Sequence, residues 1–166
     1  MTVMWAEIAD FPNYSVNKLG EVINHENGKL VRQSITHQGA VKVNLTKNGK
    51  QYTRSVKLLV ATTFVKGMSD VFDTPIHLDN DQLNNNAKNL AWRPRWFAWK
   101  YTHQFQDIPD THFKGPILEI TTGRIHKNVV EASVANGVLF KDVWKSIQQK
   151  EPAVPNGLEF DLVRHR

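Results

Sequence analysis

The sequence predicts an α+β protein assembled from small modules rather than around one large core. Three observations predict it. Alternation of apolar and polar residues, broken by Asn-Gly turns, fills the first third. A short strand, an asparagine-rich loop, a second strand and a proline-led helix fill the middle. A hairpin followed by two helices parted by a glycine fills the rest. A hydrophobic content of 40% over 166 residues is low for a single core and sufficient for modules of mixed structure. The expected boundaries are a β module over 1–50, a ββα unit over 51–105, a linker over 106–116 and a helix-turn-helix module over 117–166.

The first module reads as a small antiparallel meander. Tyr14 to Val16 is a brief extended run, a turn follows over Asn17 to Gly20, and Glu21 to Ile23 resumes the strand. Asn27-Gly28 is a hairpin signal. Gly39 to Leu45 alternates with period 2, as a half-buried strand does. Asn48-Gly49 is a second hairpin signal, and Tyr52 to Val56 is the returning strand.

Residues 56–65 change character. Val56, Leu59, Val60 and Phe64 fall at helical spacing, which predicts one short buried helix. A loop over 66–76 includes Pro75, and Ile76 to Leu78 is a strand entering the asparagine loop. Leu90 to Trp92 leaves it, and Pro94 suits the first turn of a helix over Arg95 to Phe105. Pro109, Gly115 and Pro116 mark the linker. Beyond it come strand Ile117 to Ile120, a turn at Thr122-Gly123 and strand Arg124 to Lys127. Helix Val129 to Asn136 is ended by Gly137, and helix Leu139 to Lys150 carries Phe140, Val143, Trp144 and Ile147 on one face. Pro152 and Pro155 stop it, and Leu158 to Val163 is a last strand.

Net charge is +5, which makes an acidic partner plausible and nucleic acid the first of these. The surplus is uneven. Residues 1–50 hold 6 Lys/Arg and 4 Asp/Glu, residues 51–103 hold 7 and 4, and residues 104–166 hold 8 and 8. The last third is therefore neutral, and a nonspecific grip on phosphate is expected from the first two. The absence of cysteine excludes disulfides and cysteine zinc sites. No stretch approaches the roughly 18 apolar residues of a membrane span, and the first residues carry acids where a signal peptide carries bases. No membrane partner and a cytoplasmic protein are expected.

Residues 77–92 hold the densest chemistry. His77 and Asp79 stand two apart, Asn84, Asn85 and Asn86 run together, and Asn89 precedes Leu-Ala-Trp92. Buried amides each need partners, so the run predicts a loop pinned by side-chain hydrogen bonds with one histidine held in place. Arg93, Arg95, Trp96, Trp99, Lys100 and Tyr101 interleave cations with aromatics, which suits phosphate contacts and base stacking. Trp96 and Trp99 stand at i and i+3, so they are either core or an exposed face for bases or for a protein partner. Lys141 and Lys145, with Gln148 and Gln149, could face a groove. His25, His37, His103, His112, His126 and His165 show no metal-ligand spacing and are expected at the surface.

These residues resemble the HNH homing endonucleases of the phage and group I intron type. The opening Trp5, Ile8, Phe11 to Val16 and Leu19 to Ile23 resembles the small module that often precedes the nuclease. Val56 to Ala61 and Phe64, then His77, Asp79, Asn84, Asn85 and Asn89 to Trp92, resemble the nuclease motif. Ile117 to Val163, with Thr122-Gly123, Glu131-Ala132, Gly137 and Gly157 to Phe160, resembles the C-terminal helix-turn-helix repeat. The resemblance implies a ββα-metal (His-Me) nuclease-like unit and metal-assisted hydrolysis of a phosphodiester, in a phage-encoded protein of a bacterial host. His77 then stands at the general base, a divalent cation such as Mg²⁺ stabilises the phosphate, and Asn84, Asn85 and Asn89 structure the loop.

The departures are specific. Lys57 stands where the family usually has a first histidine, Ile76 where an Asp or Asn ligand commonly precedes the base, and Ala98 where a liganding Asn commonly follows Trp92 by six residues. Isoleucine and alanine have no lone pair to offer a hard cation. The first expectation is a nucleic-acid-binding protein of this descent with an impaired nuclease site, contacting DNA, with RNA not excluded, through Arg54, Lys57, Arg93, Arg95, Lys100, Lys141 and Lys145. It needs no cofactor. The alternatives are an active Mg²⁺-dependent nickase, with Asp79, Asp81 or His103 recruited to the metal, and an adaptor binding a polymerase or ribosome.

Overall fold

The computed structural model describes residues 2–108 and 115–164 and divides into two compact units, Met1–Pro94 and Arg95–Arg166. No helix among the described residues is long and apolar enough to cross a membrane.

The first unit begins with strands β1 (Trp5–Ile8), β2 (Phe11–Asn17), β3 (Val22–Asn24) and β4 (Lys29–Leu30), an antiparallel sheet in sequence order. Strands β5 (Gln33–Ile35), β6 (Val41–Lys47) and β7 (Lys50–Ser55) form a second antiparallel sheet. The alternation of β6 buries Val41, Val43 and Leu45 and turns Lys42 and Asn44 to the other face. Asn48 and Gly49 both have positive φ, 52° and 73°, as a two-residue hairpin turn of type I′ needs, and bring Lys47 opposite Lys50. One expected meander is thus two sheets, and residue 50 lies at the start of β7 inside this hairpin.

Helix α1 (Val56–Phe64) follows β7 without a loop. Its N-cap is Ser55, whose Oγ accepts from the Leu58 amide at 3.4 Å. Strands β8 (Thr74–His77) and β9 (Leu90–Arg93) pair antiparallel, with His77 opposite Leu90. The Trp92 indole Nε1–H donates to the Val65 carbonyl at 3.0 Å, tying β9 to the end of α1. Val16, Val22, Val43, Leu45, Val56, Val60, Leu90 and Trp92 share one core, so both sheets, α1 and β9 fold together.

The second unit contains α2 (Arg95–Gln104), β10 (Ile117–Glu119), β11 (Ile125–His126), α3 (Val129–Asn136), α4 (Phe140–Gln149) and β12 (Phe160–Leu162). Its sheet runs β11-β10-β12, all antiparallel. Asn128 caps α3 by accepting from the Glu131 amide at 2.9 Å. Gly137 ends it in the left-handed region, φ 61°, where a side chain would be strained. Phe140, Val143 and Ile147 of α4 pack with Ile117, Val129, Ala132 and Phe160. Helix α2 is anchored here too. The Gln104 Oε1 accepts from the Phe140 amide at 2.9 Å, and Phe105 meets Phe140 edge-on, centroids 5.4 Å apart. Of the expected linker over 106–116, Pro109 and its neighbours through Lys114 lie outside the described residues.

His126 corrects its expected surface position. It is 6% exposed, and Glu119 is 1% exposed. Strand pairing sets His126 opposite the buried Ile117, so its inward place follows from register. Glu119 Oε2 accepts from His126 Nε2 and Asn136 Nδ2, both at 3.0 Å, and Oε1 accepts from Thr122 Oγ1 at 2.7 Å. His25, His37 and His103 are exposed, while His112 and His165 lie outside the described residues.

Burial pushes the Glu119 carboxyl up, but the hydrogen bonds from His126, Thr122 and Asn136 outweigh it and hold it below the usual range. Its folded pKa is therefore below its unfolded value of about 4.3. The stability it contributes is present above that value and is lost as pH falls through the lower folded pKa. Glu119→Gln should destabilise this unit at pH 7 by about 1–3 kcal/mol and flatten its acid-side loss of stability. Thermal melts followed by circular dichroism from pH 7 to pH 3 check both, and an unchanged melting temperature at pH 7 would refute the role.

Candidate functional site

The loop between β8 and β9 is built around one carboxylate. Asp79 Oδ1 accepts from the Asp81 amide at 2.8 Å and from Asn89 Nδ2 at 2.8 Å, and Oδ2 accepts from Asn84 Nδ2 at 2.8 Å. Asn89 returns the contact, its Oδ1 accepting from the Asp79 amide at 3.1 Å, and also donates to the Asn84 carbonyl at 2.9 Å. Asn80 takes the left-handed turn, φ 61°, a conformation asparagine tolerates. Asn86 caps a single 3₁₀ turn over Ala87–Asn89 by accepting from the Lys88 amide at 3.0 Å. The turn after β2 supports the loop from beneath: the Ala87 amide donates to the Lys18 carbonyl at 2.8 Å. Gly20 has φ 90°, and a Cβ there would stand 3.1 Å from Asn85 Cβ.

His77 stands at the end of β8, where the loop begins. Its Nε2–H donates to Asn85 Oδ1 at 2.8 Å, and Asn85 is buried. An amide oxygen only accepts, so this bond assigns the proton to Nε2 and leaves a lone pair on Nδ1. Burial lowers the His77 pKa first. The Asn85 bond pushes it up, the Lys57 charge lowers it, and Asp79 and Asp81 raise it, with a net depression. Burial thus favours the neutral imidazole.

Lys57 is the second residue of α1, and its charge is felt at His77. Burial lowers the Lys57 pKa, and Lys42 on β6 lowers it further. Lys42 was missed in the sequence. Its signal was the polar phase of the Val41 to Leu45 alternation, and strand register places it opposite Ser55, two residues before Lys57. Arg54 lies opposite Val43, with its guanidinium 5.0 Å from the Phe11 ring and 5.3 Å from the Tyr52 ring. Arg93 Nη1 donates to the Trp92 carbonyl at 2.7 Å. The other expected contact residues belong to the second unit. Arg95, Trp96, Trp99 and Lys100 are exposed on α2, and Lys141 and Lys145 are exposed on α4, where Lys145 pairs with Glu151 at 2.5 Å.

The residues do not fit the divalent cation that the resemblance implies. Ile76 is 3% exposed and offers only an aliphatic chain, and Ala98 is buried in α2. Asp79 spends both oxygens on the loop, and Asp81 Oδ1 accepts from the Leu83 amide at 2.9 Å. Among the described residues, no three His, Cys, Asp or Glu side chains come together as a metal-binding group. A Mg²⁺ site usually takes one or two carboxylates from the protein, and the residue before His77 offers none while the Lys57 charge is felt at the imidazole.

The chain is similar in sequence to proteins described as HNH endonucleases. It is 36% identical over 92 residues to "Uncharacterized HNH endonuclease L245" of Acanthamoeba polyphaga mimivirus, covering 55% of this chain and 27% of that protein. It is 34% identical over 91 residues to "DNA endonuclease I-HmuI" of Bacillus phage SP01, covering 53% of this chain and 51% of that one. The matches thus span about half or less of these relatives' length. In fold, it matches the structure described as "DNA binding and cleavage by the HNH homing endonuclease I-HmuI", with TM-score 0.56 and 23% identity over 98% of this chain and 99% of that one. No family model matches the chain.

The imidazole of His77 should titrate below the ordinary value of about 6.5. Lys57→Met removes a charge that lowers it, so the His77 pKa should rise in that variant. Side-chain NMR over pH 4–8 reads the shift, and a pKa that fails to move on Lys57→Met would separate the two residues.

Proposed function

We propose that this chain binds DNA on an HNH nuclease scaffold whose metal-dependent cleavage is impaired. The carrying observation is a pinned His77, its pKa lowered by burial, preceded on β8 by the buried Ile76, which offers no oxygen to a metal. A base that can deprotonate water is of little use when nothing stabilises charge on the phosphate. A metal contributes several kcal/mol to that transition state, so its loss slows cleavage by roughly a thousandfold or more. Lys57 and Lys42 offer charge to a phosphate, but an ammonium does not lower the pKa of a bound water as a cation does. Basic side chains on both units support phosphate contact: Arg54, Lys57 and Arg93 on the first, Arg95, Lys100, Lys141 and Lys145 on the second.

The His77–Asn85 geometry favours a second reading, an active nickase that draws its cation from outside the motif positions. One experiment separates them. Binding to duplex DNA is measured by fluorescence anisotropy at rising salt, and supercoiled plasmid is incubated with Mg²⁺ or Mn²⁺, for wild type and His77→Ala. The proposal expects affinity that falls steeply with salt, equal in both proteins, and no nicking by either. Nicking that disappears in His77→Ala would establish the second reading, and absence of binding would overturn both.

A further inference from the structure

The exposed face of α2 carries two large aromatic side chains. Trp96 is 54% exposed and Trp99 is 63% exposed, on a helix whose other face buries Phe97, Ala98 and Tyr101. Leaving two indoles in water forgoes the burial that usually justifies a tryptophan. Their positions are also held. Trp99 and His103 stack with centroids 4.0 Å apart and planes 25° from parallel, and His103 Nδ1–H donates to the Trp99 carbonyl at 2.7 Å. The Lys100 ammonium lies 5.2 Å from the Trp96 ring centre.

Beside this face is a groove of about 410 Å³, within the range of small-ligand sites. Trp99 and His103 form one wall, Leu139 and Phe140 at the start of α4 supply apolar lining, and Lys100 and Lys141 add positive charge. The Gln104 bond to the Phe140 amide holds the two helices together, so the groove is preformed. Asp107 on the same lining offers an acceptor to an exocyclic amino group. An indole stacked on an imidazole, with Lys100 and Lys141 beside it and the Asp142 carboxylate within their field, suits a planar apolar body that carries an anion.

We infer that this groove is a stacking site for an unpaired nucleobase, its phosphate held by Lys100 and Lys141. The inference rests on the DNA-binding reading and deepens it. Paired bases hide their faces within the helix stack, so only a single-stranded or displaced base can reach Trp99.

The test is titration of a single-stranded oligonucleotide carrying one 2-aminopurine, whose fluorescence falls on stacking, alongside anisotropy with an unmodified duplex. Wild type should quench the probe. Trp99→Ala should abolish the quench and weaken single-strand binding on the order of tenfold, while leaving duplex binding unchanged. Trp99→Phe should retain most of both, and Lys100→Ala should weaken binding with the quench preserved at saturation. Trp99 is exposed, and equal melting temperatures establish that the variants fold. Undiminished quenching in Trp99→Ala overturns the inference, as does an equal loss on duplex and single strand, or a Trp99-dependent dimer by light scattering. Duplex binding without any quench overturns this inference alone, and no binding to either DNA overturns the DNA-binding reading with it.

Discussion

The carboxylate of Asp79 is the point on which the β8–β9 loop closes. It faces the amide of Asp81 and the side-chain amides of Asn84 and Asn89, and these bonds outweigh a desolvation penalty that would otherwise raise its pKa. A negative charge satisfied from three directions is a stronger organiser than any neutral group of its size. With Asn84 and Asn89 held, Asn85 between them is placed beneath His77, and the imidazole acquires both its orientation and its tautomer. The geometry of the one candidate base is therefore a consequence of a carboxylate two residues away.

This division of labour makes the loop independent of the side chain at position 76. The residues that close it are Asp79 and the asparagines, and the turn at Lys18 and Gly20 supports it from the first sheet. Neither Ile76 nor Ala98 contributes a polar contact to that network. Ile76 faces the interior from β8, where an aliphatic side chain gains burial free energy that an aspartate would forgo. The loop's hydrogen bonds do not depend on that side chain.

Much of this arrangement was legible in the sequence because it is local. The Asn48-Gly49 hairpin, the span of α3 from Val129 to Asn136 with its Gly137 stop, and the proline-led α2 each carry their own chemistry. The asparagine-rich loop announced itself through the number of amides that needed partners. What was not legible depends on pairing across distance. Strand β1 has no alternation of its own and exists through its register with β2, and β4 and β5 are short and exposed. His126 was taken for a surface residue because its burial follows from facing Ile117 and from Glu119, seven residues earlier, which needs a donor. Lys42 gained its relevance only when β6 and β7 paired and brought it near Lys57.

The distribution of charge completes the physical picture. In the second unit, Lys145 is taken up by Glu151 and Lys150 by Asp161, so two of its exposed cations answer carboxylates of their own chain. Such exposed pairs contribute little to stability, but they cancel field. Lys100 and Lys141 line the groove at the start of α4, where the Asp142 carboxylate lies within their field. In the first unit the opposite holds. Burial lowers the pKa of the Lys57 ammonium, and the Lys42 charge lowers it further. Like charges held together at the edge of a histidine loop are stabilised by an anion arriving between them.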